Sequence, residues 1–172
     1  MGDALRVRRV RADEGFVLRS LRLRALADSP MAFGTTLAEE QLRPDSSWHE
    51  RAATGAAGQD RVTFIIESGN GAVGLGTGVR SVDDPTSVAL VGVWIDPHAR
   101  GQSGGAALIA AVADWAQSKG TQSLELWVTD ENIPAIKLYE RSGFRPTGET
   151  QPLPHTPSVS EMRMVRPLVV GE

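Results

Sequence analysis

The stretch ARGQSGGAALIAAVADW, residues 99–115, directly follows the apolar run SVALVGVWIDP at 87–97. Three glycines within five positions, Gly101, Gly104 and Gly105, loosen the backbone just where the following alanines and leucine favour a helix. A glycine-rich turn between a strand and a helix lets main-chain N–H groups approach an anion, and the helix N-terminus adds partial positive charge. The turn is therefore a candidate phosphate site.

Two common phosphate-binding motifs fit this turn poorly. A P-loop requires Lys followed by Ser or Thr after its glycines, and no such pair follows here, which excludes a P-loop NTPase. A dinucleotide fingerprint requires G-x-G-x-x-G after an early strand of a doubly wound sheet. Here the turn reads G-x-x-G-G after a third consecutive strand of antiparallel type, so a dinucleotide site is not favoured.

Outward from the turn, hydrophobic periodicity and turn residues predict an α/β (α+β) fold. On the N-terminal side we expect a strand in LRVRRV, two helices, a hairpin at Asn70-Gly71 and a strand over 87–95. On the C-terminal side we expect a helix ending at Gly120, the strand LELWV, a helix closed by Gly143 and the last strand SEMRMV. The order β-α-α-β-β-β-α-β-α-β predicts one domain over residues 1–172, with a mixed, mostly antiparallel sheet flanked by helices.

Two details concern the first helices. The helix after Asp13 is predicted to end near Ser29-Pro30, and its apolar side is expected to include Phe16, Leu21, Ala25 and Leu26. Ser47 and Glu50 have capping-box spacing, which predicts the start of a second short helix reaching about Thr54.

Composition narrows the function classes. The chain has no cysteine, which excludes disulfides, thiolate zinc sites and cysteine nucleophiles. No apolar run approaches membrane-spanning length and the first ten residues lack an apolar segment, so a cytoplasmic protein without a membrane partner is expected. The net charge is −3, although residues 1–24 carry seven arginines. A solvated face explains those arginines better than nucleic-acid binding, because no nucleic-acid motif accompanies them.

Three segments together resemble one enzyme family. RGQSGGAAL at 100–108 is similar to the acetyl-CoA pyrophosphate loop of the GNAT superfamily of N-acetyltransferases, with Arg100 and Gly105 in place and Ser103 where that family usually has glycine. NIPAIKLYERSGF at 132–144 resembles its second motif, and VGVWIDP resembles its central strand. The resemblance covers about residues 87–148 and implies a GNAT-like fold.

The resemblance implies a set of cofactor contacts. Acetyl-CoA would place its pantetheine arm between the strand that ends at Ile95 and the strand LELWV, and main-chain groups of Val93 and Ile95 would pair with its amides. Backbone N–H groups of the loop would hold the pyrophosphate, with a charge-assisted contact from Arg100. The expected cofactor-binding residues are Val93, Trp94, Ile95, Arg100, Gly101, Gln102, Ser103, Gly104, Gly105 and Asn132. Asn132 is equally a candidate helix cap.

The expected chemistry is acyl transfer to an amine. By resemblance, Tyr139 acts as general acid toward the CoA sulfur, since a phenol with a pKa near 10 keeps its proton at neutral pH; packing against a core helix is the alternative. Glu125 shares a strand face with Trp127 and is the first candidate for the general base, with an ordered water as the alternative. Glu39 and Glu40 are candidates for attracting a cationic amine, and surface charge explains them equally well.

The histidines carry little functional signal. His98 is expected in an exposed turn, His49 in the capping-box turn and His155 in a proline-restricted loop that could border the acceptor pocket. No pair has metal-site spacing, so no metal is expected.

The sequence as a whole predicts an acetyl-CoA-dependent N-acetyltransferase working through a ternary complex. A small-molecule amine is the first candidate for the acceptor and a protein or peptide amine the second. A non-catalytic acyl-CoA sensor domain is the alternative from another class. Exposed strand edges would also allow a homodimer.

Overall fold

The structure is a computed structural model that describes residues 4–169, so Asp3, which belongs to the arginine-rich segment, lies outside the described residues. Two 3₁₀ turns, Pro30–Ala32 and Pro97–Ala99, accompany the helices and strands. In chain order these are β1 (Arg6–Arg9), α1 (Gly15–Asp28), α2 (Leu37–Gln41), α3 (Asp45–Ala57), β2 (Arg61–Ser68), β3 (Gly71–Arg80), β4 (Ser87–Ile95), α4 (Gly104–Ser118), β5 (Ser123–Thr129), α5 (Ile133–Arg141), β6 (Arg145–Leu153) and β7 (Thr156–Pro167).

One seven-stranded sheet has the order β1-β2-β3-β4-β5-β7-β6. All neighbouring strands are antiparallel except β4 and β5, which are parallel because α4 crosses between them. The predicted fold class, a mixed and mostly antiparallel sheet flanked by helices, is confirmed. Among the described residues no helix is both long enough and apolar enough to span a bilayer.

The parallel pair is joined at one end only. Pairing between β4 and β5 is found at Ser87 with Ser123, Val88 with Leu124 and Ala89 with Glu125. From Leu90 onward, no described residue of β5 pairs with β4, so the two strands separate toward Ile95. The sheet therefore has an open gap at its centre, beside the glycine-rich loop.

A bulge in β4 accompanies this separation. The register between β3 and β4 shifts between Leu75 and Thr77, opposite Gly92, whose φ is 64°. Val88 packs in the core on the α4 side, whereas Trp94 packs on the opposite side. Residues an even number apart share a face in a regular strand, so the bulge has exchanged the two faces of β4 before it reaches the gap.

Two hydrophobic cores lie on the two faces of the sheet. The first packs α4 against β4, β5 and β7, with Val112, Ala116 and Leu124 fully buried. The second packs α1 and α3 against β2 and β3, with Leu21 and Trp48 at its centre. Helices on both faces leave the ends of the central strands as the place where a site can form.

Two local predictions change, and one helix is added. Phe16 is 58% exposed and rests edge-on against His49, while Leu18 is the buried residue of that turn. The capping box predicted at Ser47 is wrong, because α3 begins earlier, at Asp45, with Pro44 as its N-cap. A capping box exists instead at Thr36 and Glu39 and begins α2, a single helical turn that the sequence did not suggest.

Strand β6 is the other added element. Its sequence RPTGETQPL contains two prolines and a glycine, which argue against a strand interior. It is an edge strand paired only with β7 among the described residues, and its residues are exposed apart from Leu153. Proline is compatible with an edge because it needs no ladder partner on the open side.

Candidate active site

Main-chain groups of β4 face the central gap. The N–H of Asp96 donates to the carbonyl of Val73 at 2.7 Å, so the pair Val73–Asp96 is bonded across to β3. Bonding direction alternates along an antiparallel strand, and Ile95 and Val93 therefore direct their N–H and C=O groups away from β3. Val93 and Ile95, the predicted pair, therefore present main-chain groups to the gap, where the Ile95 carbonyl accepts a hydrogen bond from Arg100 Nε.

The glycine-rich loop presents further unpaired N–H groups. The first hydrogen bond of α4 runs from Ala107 N–H to the Ser103 carbonyl, and no side chain within residues 4–169 caps the helix. No described residue accepts from the N–H groups over 101–106. The start of α4 carries no acidic side chain, so its partial positive charge is not neutralised.

Ser103 has a left-handed backbone, with φ 64° and ψ 19°. It is the only non-glycine residue with positive φ among residues 4–169. The family glycine that it replaces would adopt this conformation without strain, which explains the preference for glycine. The structure keeps the turn with serine, and Gly101, with φ 78°, supplies the other left-handed residue of the loop.

Arg100 lies at the edge of the cleft and already has protein partners. Its Nη2 donates to Asp28 Oδ2 at 2.6 Å and its Nε donates to the Ile95 carbonyl at 2.9 Å. Asp28 also accepts from the indole N–H of Trp94 at 3.0 Å. The hydrogen bond from Trp94 is the largest cause that holds the pKa of Asp28 below its ordinary value, and the hydrogen bond from Arg100 also lowers it. The sequence prediction missed Asp28, which fixes Trp94 and Arg100 together.

A cavity of about 620 Å³, which we call the loop cleft, joins the gap to the glycine-rich loop. It is lined by β4, the loop and α5. The predicted cofactor-binding residues that line it are Val93, Trp94, Ile95, Arg100, Gly101, Ser103, Gly104, Gly105 and Asn132. Gln102 does not line it; its side chain borders a separate cavity with His98 and Asp96.

Tyr139 stands on α5 at the inner end of the loop cleft. Its ring packs edge-on against Phe144 at 5.9 Å, and no described residue hydrogen-bonds to its hydroxyl. Burial raises the pKa of Tyr139 to about 12. The phenol is thus a protonated donor without a protein acceptor, and it faces a cavity.

Asn132 caps α5. Its Oδ1 accepts from the N–H of Ala135 at 3.3 Å, and Pro134 occupies the first turn, where no N–H is needed. The cap interpretation is therefore correct for this residue. Asn132 also lines the loop cleft, so the cap places its side chain at the cavity wall.

A second cavity of about 320 Å³, which we call the strand pocket, lies on the other side of Tyr139. It opens between β4 and β5 on the sheet face opposite α4. Val93, Asn132 and Tyr139 line both cavities, and the two therefore meet at these residues. Glu125 lines the strand pocket but not the loop cleft.

The strand pocket contains two carboxylates in different environments. Glu125 is ion-paired, with Arg163 Nη2 2.6 Å and Nε 3.2 Å from its Oε2. Glu161, which pairs with Thr129 across β5 and β7, is 8% exposed and accepts from Gln151 Nε2 at 2.9 Å. No described cation forms an ion pair with Glu161. The sequence prediction missed Glu161, because its place beside Glu125 depends on strand pairing.

The other acidic and histidine candidates lie outside both cavities. Glu40 is 1% exposed and ion-paired with Arg43 and Arg51, so it stabilises the helical region rather than meeting solvent. Glu39 is held by Thr35 and the α2 capping box. His155 Nε2 lies 2.7 Å from the Phe33 carbonyl, which joins the β6–β7 turn to a segment that lines the strand pocket.

Comparison with known proteins identifies similar sequences. The family model described as "Acetyltransferase (GNAT) family" matches residues 24–144. The mycothiol acetyltransferase of Beutenbergia cavernae is 29% identical over 127 residues, which is 74% of this chain and 40% of that protein. The chain therefore spans less than half the length of this curated relative.

Comparison with solved structures agrees with the fold. The yncA protein of Salmonella typhimurium, solved with its cofactor acetyl-CoA, superposes with a TM-score of 0.78 at 15% identity, covering 98% of this chain and 95% of that one. The spermidine N-acetyltransferase of Vibrio cholerae, solved with CoA and spermine, gives a TM-score of 0.74 at 17% identity and covers 95% of each chain. At these identities the likeness shows the shared fold.

Proposed function

The chain belongs to the acetyltransferase (GNAT) family, and from that premise we propose that it transfers an acetyl group from acetyl-CoA to the primary amine of a small molecule. The transfer is direct, within a ternary complex, because the chain has no cysteine and, among the described residues at the junction of the two cavities, the only hydroxyl is the protonated phenol of Tyr139. The observation that supports this most strongly is the uncapped start of α4, which opens into the same cleft as the gap-facing backbone of β4.

The loop cleft fits acetyl-CoA. The unpaired N–H groups over 101–106 are suited to the pyrophosphate, and the backbone of Val93 and Ile95 to the pantetheine amides. Arg100 would add charge at the entrance, sharing its guanidinium with Asp28. Bound there, acetyl-CoA supplies a thioester carbonyl to the inner end of the cleft, next to Tyr139.

The strand pocket is the proposed acceptor site. Its volume of about 320 Å³ suits a small molecule. Curated relatives named mycothiol acetyltransferase also favour a small acceptor over a protein amine. Since both cavities share Tyr139 and Asn132, an amine in one reaches the thioester in the other.

Three protein groups would carry the proton and charge movements. A carboxylate of the strand pocket accepts a proton from the acceptor ammonium, because only the neutral amine is nucleophilic. Glu161 is favoured for this role since Arg163 already occupies Glu125; Glu125, the choice from sequence, is the alternative. The amide of Ile95 or its neighbour donates to the carbonyl oxygen as negative charge develops, and Tyr139 gives its proton to the leaving sulfur. The nitrogen of the new amide loses its second proton, which restores the phenol of Tyr139.

Calorimetric titration of acetyl-CoA, with ATP and NADH as controls, tests the cofactor assignment. We expect stoichiometric binding of acetyl-CoA alone. At about a hundred times its dissociation constant, the ligand should add roughly 2.7 kcal/mol to the free energy of unfolding. Folded protein that does not bind acetyl-CoA would refute the proposal, and a binding protein that acetylates no amine would be an acyl-CoA sensor.

A charge-matched pair of variants makes the test specific to the loop. Ser103→Asp places a carboxylate at the α4 N-terminus, where it satisfies the helix but repels the pyrophosphate. We expect acetyl-CoA affinity to fall by at least about tenfold without loss of stability. Ser46→Asp makes the same change in the first turn of α3, far from both cavities, and should leave affinity unchanged. Equal affinities for both variants would place the phosphates elsewhere.

A further inference from the structure

Arg22 lines the strand pocket without a partner for its charge. It projects from α1, and its guanidinium carbon lies 4.6 Å from the centre of the Phe33 ring. Its Nε is buried and has no hydrogen-bond partner, and no described carboxylate forms an ion pair with it. Burial lowers the pKa of Arg22 from its ordinary value, although a guanidinium keeps its proton at neutral pH.

The neighbourhood of Arg22 does not neutralise this charge. Glu40 is the carboxylate whose charge favours protonated Arg22, but its Oε2 accepts from Arg43 at 2.8 Å and from Arg51 at 3.3 Å. Arg61 adds another positive charge to the same region, with no described ion-pair partner. The surroundings of Arg22 therefore carry an excess of positive charge.

Negative charge without a cation lies elsewhere in the same pocket. Glu161 is 8% exposed and bonded only to a neutral amide. Buried charges are costly unless they are paired, so an arginine and a glutamate that line one small cavity and do not meet each other both need a partner. A molecule that carries both charges would satisfy the two residues together.

We infer that the acceptor is an amine that also bears a carboxylate, with the carboxylate bound by Arg22 and the ammonium facing Glu161. This inference rests on the proposed function and specifies its substrate class. A guanidinium can bind a carboxylate through two parallel hydrogen bonds. One guanidinium also balances the single charge of a carboxylate, whereas a phosphate monoester carries about −1.5 to −2 at neutral pH.

The bulge in β4 explains how Arg22 reaches the pocket. A Cβ atom built on Gly92 would lie 3.3 Å from Arg22 Nη1, so the guanidinium rests against bare backbone at the bulge. Gly92 precedes Val93, which lines both cavities. The charge of Arg22 is thus held next to the junction at which transfer would occur.

Calorimetry on the protein saturated with CoA tests the inference without requiring turnover. The probes are a homologous series of amino acids with increasing separation of amine and carboxylate, each compared with its uncharged primary amide, and an aminoalkyl phosphate. We expect the best acid to bind about ten- to a hundredfold more tightly than its amide, the typical range for a hydrogen bond to a charged group. In Arg22→Gln this preference should fall to about twofold or less.

Two further variants serve as controls. Arg19→Gln removes the same charge one turn earlier in α1, at a residue that lines neither cavity, and should keep the preference. Arg22→Lys keeps the positive charge but lacks the paired N–H donors of a guanidinium, and it should retain part of the preference for acids over amides. Thermal unfolding establishes whether each variant is folded. If Arg22→Gln does not fold, the inference is still tested by Arg22→Lys and by the comparison of acids with amides in the unmodified protein.

Several outcomes would overturn the inference. These are equal affinity for acids and amides, a preference that survives in Arg22→Gln, tighter binding of the aminoalkyl phosphate than of any acid, or no binding by any acid. Failure of the proposed function has a different signature, because acetyl-CoA would then not bind or no acid that binds would be acetylated.

Discussion

The loop cleft and the strand pocket meet at Tyr139 but are built differently. The loop cleft presents mainly backbone groups, namely the N–H groups over 101–106 and the main chain of Val93 and Ile95. The strand pocket presents charged side chains from α1, β5 and β7, namely Arg22, Glu125 and Glu161. The loop cleft therefore depends on the backbone conformation, and the strand pocket depends on which side chains the fold brings together.

This difference assigns separate tasks to the two cavities. Backbone groups tolerate side-chain replacement, as the serine at position 103 shows by keeping a left-handed turn that glycine would adopt more easily. A single substitution can change the charge of the strand pocket. The acceptor specificity can therefore change while the loop cleft continues to bind the same cofactor. Variants at the junction, in the strand pocket and in the loop should therefore have distinct effects.

Tyr139→Phe at the junction should have the largest effect. Removing a general acid typically costs about a hundred- to ten-thousandfold in turnover. Because the cofactor is bound mainly by backbone, we expect kcat to fall by this factor and the acetyl-CoA dissociation constant to stay within about twofold. Steady-state kinetics and calorimetry on the same preparation measure both. Unchanged turnover would leave Tyr139 only a packing role against Phe144.

Glutamine variants of the two pocket carboxylates should separate the base from the ion pair. We expect Glu161→Gln to lower kcat by about a hundredfold, because the glutamine amide cannot accept the proton of the acceptor ammonium. Glu125→Gln removes one of the two ion pairs of Arg163, which keeps its pair with Glu149, and should have the smaller effect on kcat. Steady-state kinetics of both variants provide the measurement, and the reverse ranking of kcat would return the role of base to Glu125.

The pKa of Tyr139 measures how well the junction of the two cavities excludes water from its hydroxyl. Tyr139 is the only tyrosine of the chain, so tyrosinate absorbance reports this residue alone. Burial raises its pKa to about 12, against about 10 in the unfolded chain. The folded state favours the protonated phenol, so this contribution to stability is complete below pH of about 10 and is lost as the pH rises toward about 12. A midpoint near 10 in folded protein would mean a solvated hydroxyl.

Ser103→Gly in the loop should have the smallest effect. Glycine removes the strain of a left-handed residue but adds backbone freedom to the unfolded chain, so the net change in the free energy of unfolding should be a gain of at most about 1 kcal/mol. Acetyl-CoA affinity should stay within about threefold, since the backbone N–H groups remain in place. Chemical denaturation and calorimetry measure the two changes. A large loss of affinity would show that the Ser103 hydroxyl itself holds a phosphate oxygen.

Local sequence predicted the structure correctly where a single segment determines its own conformation. The strand 87–95 was predicted with the bounds that the structure shows, and Gly120 and Gly143, both with positive φ, mark the helix ends as expected. Local patterns were misleading where tertiary contacts decided. Phe16 fits an apolar helix stripe yet is exposed, and β6 is a strand despite its two prolines because it lies at a sheet edge.

The residues of the candidate site also fall into those that local sequence predicts and those that only tertiary contacts place. The sequence by itself determined the family, the loop and the position of Tyr139, because these lie in a continuous segment in which spacing along the chain sets spacing in space. Only the tertiary structure brought Arg22, Glu125 and Glu161 into one pocket, through the register of β5 with β7 and the packing of α1 beside the β4 bulge. Pairing between distant strands sets that register, and no short segment encodes it.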